Sequence, residues 1–395
     1  MENFNFCAPT RILFGKGMEN TVGKTLQDNG YKKVLIHYGG GSAERSGLLG
    51  SIRSQLKQYG VPFLELGGVE PNPKIDLVRE GVSLAKEENV DFILAVGGGS
   101  VIDSAKAIAV GALTDEDVWD DIIVGRSVIK KALPIGVVLT IAAAGSEMSW
   151  SAVITNGIYK RSMKSDFIRP KVAFMNPELT YTVSKYQTAC GIVDIMMHTM
   201  GRYFTSTENC DLTDRIAEAL LVSVKDAGAV VIKHPDNYEA RATLMWASSL
   251  SHNNLTSCGK TFYFPVHKLE HDLSGLYDNI SHGAGLAVLF PAWAKYIYSH
   301  DVNKFIQFAM RVMGLKLNFA NTAQTALNGI DALKMYFKSL GMPSTLSELG
   351  ISPSDYEKLA DLTTDGGKKT VVSYVPLDKK AIIDIYKIAD KHTEK

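Results

Sequence analysis

Asp91-Phe-Ile-Leu-Ala-Val-Gly-Gly-Gly-Ser100 is the stretch on which the fold turns. Asp91–Val96 reads as a strand that runs straight into a glycine turn. Gly97-Gly-Gly-Ser100 then opens a helical pattern. The same grammar recurs on either side. Lys33-Val-Leu-Ile-His-Tyr38 is a second strand and ends in Gly39-Gly-Gly-Ser42. A helical stretch around 47–59, a strand at Pro62-Phe-Leu-Glu-Leu66, and a helix over 74–89 with Val78, Val82 and Ala85 as its stripe come next. Pro134-Ile-Gly-Val-Val-Leu-Thr140 is a fourth strand. Such alternation predicts a doubly wound, Rossmann-like parallel sheet. Beyond Asn176 the strand signals fade, and long amphipathic helices are expected through 184–260 and again from 283. Gly341-Met-Pro343 breaks the later helices, and Asp378 caps the last. The expected architecture is α/β plus all-α, with a Rossmann-like domain over 1–184 and a helical domain over 185–395.

Composition narrows the partners. The 395 residues carry 42 Lys and Arg against 42 Asp and Glu, so neither nucleic acid nor an anionic membrane surface is expected to bind. Hydrophobic content of 46% and charged content of 21% suit a soluble globular protein. Cys7, Cys190, Cys210 and Cys258 stand singly, without Cys-x-x-Cys spacing, which fits a reducing compartment. Met1-Glu-Asn-Phe-Asn-Phe6 has neither the basic start nor the apolar core of a secretory signal. A cytoplasmic protein is expected.

Two short stretches concentrate the chemistry. Gly191-Ile-Val-Asp-Ile-Met-Met-His198 sets Asp194 and His198 one helical turn apart, and His267-Lys-Leu-Glu-His271 does the same for two imidazoles, with His282 close behind. A carboxylate with three neutral imidazoles suits a divalent transition metal, Fe(II) or Zn(II). Five candidates for four positions leave one histidine over to handle protons. An isolated Asp-x-x-x-His is more often a surface pair. Here Ile192, Val193, Ile195 and Met196 make the helix apolar, and buried polar groups need partners. His37, His234, His252, His300 and His392 read as structural or solvated.

The two glycine turns bear on phosphate. Glycine lets a backbone approach a pyrophosphate, and a helix N-terminus offers free N–H groups. Val96-Gly-Gly-Gly-Ser100 matches neither G-x-G-x-x-G nor a Walker loop, and a tight turn alone would explain it. Ser100 with Asp103 also reads as a capping-box-like pair. The second strand ends on Gly39, with Ser42 and Arg45 behind it, where an NAD site usually places an acidic side chain for the ribose 2′-hydroxyl. That favours NADP(H) over NAD(H).

Phe14-Gly-Lys-Gly17, Pro71-Asn-Pro73, Gly97-Gly-Gly-Ser-Val-Ile-Asp-Ser-Ala-Lys106, Thr140-Ile-Ala-Ala-Ala-Gly-Ser-Glu147 and Asn176-Pro-Glu-Leu-Thr180 stand in order with the Asp194, His198, His267, His271 and His282-Gly283 set. Together they resemble the iron-containing (group III) alcohol dehydrogenase family, most of all its NADPH-dependent butanol dehydrogenase and aldehyde reductase members. The resemblance implies a dehydroquinate synthase-like architecture, with a dinucleotide-binding N-terminal domain and a metal-binding catalytic C-terminal domain. It implies that Asp194, His198, His267 and His282 ligate the metal, with His271 as an active-site histidine outside the shell. It also implies that Gly40, Gly41, Ser42, Gly98, Gly99, Ser100, Asp103, Thr140 and Lys160 line the NADP(H) site; Arg161 and Lys164 are near enough to substitute for Lys160. Ala144 departs from the family pattern, which has threonine there. A lost hydrogen bond to a charged group is worth about 1.5–3 kcal/mol, so weaker cofactor binding is expected.

The activity so implied is hydride transfer between a nicotinamide and small aliphatic alcohols or aldehydes, in a homodimer. Trp150, Phe262, Tyr263 and Phe264 suggest the apolar pocket. The rivals are a lyase or cyclase of the dehydroquinate synthase type and a non-catalytic dinucleotide-binding scaffold. The first needs a Lys- and Arg-rich polyanion pocket, whereas only Lys260 and Lys268 lie near His267 in the sequence. The second would tolerate decay of a ligand set that is complete here.

Overall fold

The computed structural model describes residues 1–391, so His392 and the final residues of the basic C-terminal end fall outside the described residues. Its strands in chain order are β1 (Arg11–Phe14), β2 (Val34–Gly39), β3 (Phe63–Val69), β4 (Phe92–Gly97), β5 (Ile135–Leu139), β6 (Ser151–Asn156), β7 (Tyr159–Lys164) and β8 (Val172–Met175). Six of these form one parallel sheet in the order β1-β8-β5-β4-β2-β3. Every residue of β4 is buried, as its unbroken apolar run requires. The Gly99–Gly111 helix packs on the Ile75–Glu87 helix, and closely: a Cβ on Gly81 would lie 2.4 Å from Ile108 Cδ1.

The register matters for function. Tyr38 pairs with Val96 and Gly97 pairs with Leu139, so the turns that follow β2, β4 and β5 leave the sheet at one edge. Ligands of open α/β sheets bind outside the carboxyl ends of the strands. The two glycine turns and Thr140 therefore share one edge because the sheet is parallel there.

Beyond the four expected strands the structure adds β1 and β8 to the parallel sheet and a separate β6–β7 pair. β6 and β7 form an antiparallel hairpin whose Asn156–Tyr159 pair leaves Gly157 and Ile158 as a two-residue connection. Tyr159-Lys-Arg-Ser-Met-Lys164 is too polar to register as a strand by hydrophobic pattern. Gly157 at φ +56° was the available signal, since such turns need a left-handed residue.

The chain separates into two compact units. One comprises residues 7–183 together with 248–253. The other comprises residues 1–6, 184–247 and the chain from Asn254 onward, and is helical. Asp378 caps the Lys379–Ala389 helix by accepting from Ala381 N at 2.8 Å, as expected. Among the described residues no helix is long and apolar enough to cross a membrane.

Candidate active site

Ser184 starts the Lys185–Tyr203 helix, its hydroxyl accepting from Gln187 N at 3.2 Å. This helix is buried along most of its length and carries Asp194 and His198 one turn apart, Asp194 Oδ1 lying 3.5 Å from His198 Nδ1. The Pro265–Leu276 helix, opened by proline at its first turn, brings His267 Nε2 to 3.9 Å from the same oxygen. His282 begins the His282–Ile297 helix and sets Nε2 3.7 Å from it. Gly283 permits that approach, because a Cβ there would fall 2.3 Å from Cys190 O.

Three imidazoles, one from each of three helices, thus approach one carboxylate oxygen of Asp194. Ligand atoms of Asp194, His267 and His282 all lie within 4.8 Å of one another, and His198 joins them through Asp194. A tetrahedral ion with bonds of about 2.1 Å holds its ligand atoms about 3.4 Å apart. The separations of 3.5 to 3.9 Å are close to that, and the N3O donor set suits Fe(II) or Zn(II). The residues fit the group.

Around them the packing is aromatic. The His198 and His267 rings stack with centroids 4.9 Å apart, and Phe264 meets both edge-on. Arg202 is fully buried one turn beyond His198, donates to His198 O at 2.7 Å and faces the rings of Phe262 and Phe264 at 5.2 and 4.8 Å. Burial pulls its guanidinium down to about 9. Of the aromatics expected to line a pocket, Phe264 lies against the imidazoles and Tyr263 is partly exposed. Trp150 belongs to the α/β unit, where it faces Arg169.

His271 follows His267 by one turn, its ring centroid 5.4 Å from that of His282. Between them sits a residue the sequence reading passed over. Glu270 is completely buried and pairs through Oε2 with His282 Nδ1. His267, Glu270, His271 and Ser274 share one helical face by spacing, so the periodicity was the signal that could have found it.

In the α/β unit, Gly41 (φ +110°) turns the chain into the Ser42–Arg45 helix, and a Cβ on Gly41 would lie 3.0 Å from Arg45 Nη1. Arg45 therefore folds over the turn. Glu44, the acid in that helix, is engaged by Arg53, which also pairs with Glu65. Gly98 has a packing reason to be glycine, since a Cβ there would come within 2.2 Å of Ile141 Cγ2. The Gly99–Gly111 helix, in which Ser100 lies, has no acidic residue in its first turn to oppose a phosphate.

Asp103 does not act as the expected cap. That helix has Gly98 at its N-cap and no side-chain capping bond. The Asp103 carboxylate instead turns to the 146–153 segment, accepting from Ser146 Oγ at 2.6 Å and Val153 N at 2.8 Å. Burial pushes its pKa up, and the nearby Lys106 and Lys160 charges oppose the shift. Lys160 on β7 is buried, whereas Arg161 and Lys164 face solvent. Thr140 N donates to Gly97 O, and Ala144 sits against Gly99, whose Cβ would meet Ala144 Cβ at 3.1 Å.

Residues 9–177 match the family described as iron-containing alcohol dehydrogenase, and residues 188–389 match the C-terminal domain of the same family. The chain belongs to the iron-containing alcohol dehydrogenase family. It is 42% identical over 390 residues to NADH-dependent butanol dehydrogenase A of Clostridium acetobutylicum, covering 98% of this chain and 99% of that one. It is 36% identical over 363 residues to the NADPH-dependent aldehyde reductase YqhD of Escherichia coli, covering 91% and 92%. The crystal structure of NADH-dependent butanol dehydrogenase A from Thermotoga maritima aligns with TM-score 0.94 at 38% identity, covering 99% of each chain. As an iron-containing alcohol dehydrogenase family member, the chain has the expected N-terminal α/β and C-terminal helical fold.

Proposed function

We propose that this chain is a metal-dependent, NADP(H)-linked alcohol dehydrogenase and aldehyde reductase acting on small aliphatic substrates such as butanol and butanal. In this reading residues 1–184 bind the dinucleotide and residues 185–395 hold the metal. The observation that carries it is the approach of His198, His267 and His282 nitrogens to Asp194 Oδ1, at 3.5, 3.9 and 3.7 Å.

Asp194, His198, His267 and His282 would hold the ion. A divalent ion so bound supplies Lewis acidity toward a substrate oxygen, and the nicotinamide supplies or accepts the hydride. Phe264 excludes water from one flank of the imidazoles. His271, outside the four, passes the proton that must enter or leave as the substrate changes between alcohol and carbonyl. Gly40, Gly41 and Ser42 with Gly98, Gly99, Ser100, Asp103, Thr140 and Lys160 would line the dinucleotide site.

For the nucleotide, the support is local. β2 ends on Gly39 without a carboxylate, and Arg45 lies over the Gly41 turn, where a 2′-phosphate would find a cation. The relatives named above divide between NADH and NADPH, so the side chains at this turn carry the argument.

The test is consumption of NADPH and of NADH on adding butanal, with metal-stripped and Fe(II)- or Zn(II)-reloaded protein. Net oxidation of NADPH that needs the metal is expected. Full activity in a purified His267→Ala variant would overturn the assignment, and metal-dependent turnover without net nicotinamide consumption would favour a lyase.

A further inference from the structure

We propose that Glu270 is a positioning residue for the metal, holding His282 by Nδ1 so that Nε2 faces Asp194 and His267. This rests on the ligand reading of Asp194, His198, His267 and His282 given above.

The Glu270 side chain has no solvent exposure, and a carboxylate in such a place needs a strong partner. Its Oε2 meets His282 Nδ1, while the opposite nitrogen of that ring lies 3.7 Å from Asp194 Oδ1. The imidazole therefore stands between two carboxylates on different helices. A nitrogen facing Glu270 must carry the proton to make that bond, which leaves the lone pair on Nε2, where a metal can take it. The pairing fixes both the tautomer and the rotation of the ring.

A second observation points the same way. Gly285 lies one turn beyond His282, and a Cβ there would come within 2.8 Å of Glu270 Cγ and 3.2 Å of Oε1. Glycine inside a helix is less stable than alanine, so its presence is explained by the room it leaves for this carboxylate. Charge gives the reason to keep an acid here. Asp194 offsets half of a divalent ion's charge; Glu270 offsets more from beyond one imidazole without occupying a coordination position. Ligand atoms of Glu270, His271 and His282 also lie within 4.8 Å of one another, so direct ligation by Glu270 is the outcome the experiment must separate.

The experiment titrates chelator-stripped protein with Co(II), reading the visible d–d absorption for geometry and chelator competition for Kd. Wild type should take up one ion per chain, and Asp194→Asn should lose it. Glu270→Gln and Glu270→Ala should keep the stoichiometry with Kd raised by about 10- to 100-fold. The smaller effect is expected for glutamine, whose amide oxygen still accepts. Gly285→Ala should weaken Co(II) binding by crowding Glu270, yet add little in a Glu270→Ala background. The added Cβ should also lower the thermal stability of the metal-free protein, and less so in the Glu270→Ala background. Each titration is therefore run well below the variant's melting temperature, where a raised Kd reports positioning and not unfolding. Glu270→Gln keeps the test open if Glu270→Ala fails to fold. Unchanged Co(II) affinity in the Glu270 variants would overturn the proposal. So would complete loss of binding, as in Asp194→Asn, which would make Glu270 a ligand. A wild type that binds no Co(II) would instead overturn the metal reading itself.

Discussion

Lys106 Nζ is buried 2.7 Å from the carbonyl oxygen and 2.9 Å from the hydroxyl of Ser146. The same amine donates to Ser149 O at 3.0 Å and to Ser151 O at 2.9 Å. Burial pulls its pKa down to about 8, against the pull of Asp103 and Glu147. One charge on the Gly99–Gly111 helix thereby holds the 146–151 segment in place.

Lys106→Met should therefore cost about 3–5 kcal/mol, because it strips donors from three carbonyl oxygens and leaves Asp103 buried without this neighbouring charge. Denaturant unfolding measures it. A loss near the 0.5 kcal/mol or so of an ordinary surface substitution would show that the segment is held by other contacts.

His271→Ala is expected to keep its metal while turnover falls by about 10²–10⁴-fold, the usual contribution of a positioned acid–base group. Metal content by elemental analysis and kcat on butanal are the paired readouts. Loss of the metal would make His271 a ligand.

Gly39→Asp should shift nucleotide preference. A Cβ at Gly39 meets Val69 O at 3.4 Å and Val101 Cγ2 at 3.7 Å, ordinary contacts that the fold accepts. The new carboxylate would repel a 2′-phosphate and accept from a 2′-hydroxyl. KM for NADPH should rise about tenfold, or about 1.4 kcal/mol, with KM for NADH level or lower. Equal KM changes for both nucleotides would place the adenosine ribose elsewhere.

His37 makes the α/β unit acid-sensitive. Its Nδ1 lies 2.8 Å from Leu66 O, which can only accept, and Nε2 lies 2.8 Å from Ser104 Oγ, so the neutral ring satisfies both. Burial lowers its pKa to about 4 from 6.5. Between those values the unfolded chain binds the extra proton, so the contribution is whole above about pH 6.5 and drains away as pH falls through 4. The span is worth up to about 3 kcal/mol. Urea unfolding of wild type and His37→Gln across pH 4–7 should show a steeper acid loss in wild type; parallel curves would count against it.

Much of this was legible from residue order alone. Asp91–Val96 reads as a strand from residue order, because Phe92–Val96 is a short apolar run bounded by an acid and a glycine turn, while its interior place follows only from pairing with β2 and β5. The spacing of Asp194 with His198, and of His267 with His271, put each pair on one helical face before any contact was known. Other parts were not legible. Asp103 reads as a helix cap from its distance to Ser100, yet Ser146 and Val153, more than forty residues on, claim its oxygens. The β6–β7 hairpin hid behind a polar strand whose partner supplies the order.

Local periodicity determined which side chains share a face, since helix and strand repeats are properties of neighbouring residues. Only tertiary structure decided what those faces meet. Glu270 in sequence is one acid among many; folded, it is sealed from water against His282, because the Pro265–Leu276 helix packs on the His282–Ile297 helix where Gly285 has no side chain. Burial and partner depend on chain segments brought together from a distance, and that information exists only after packing.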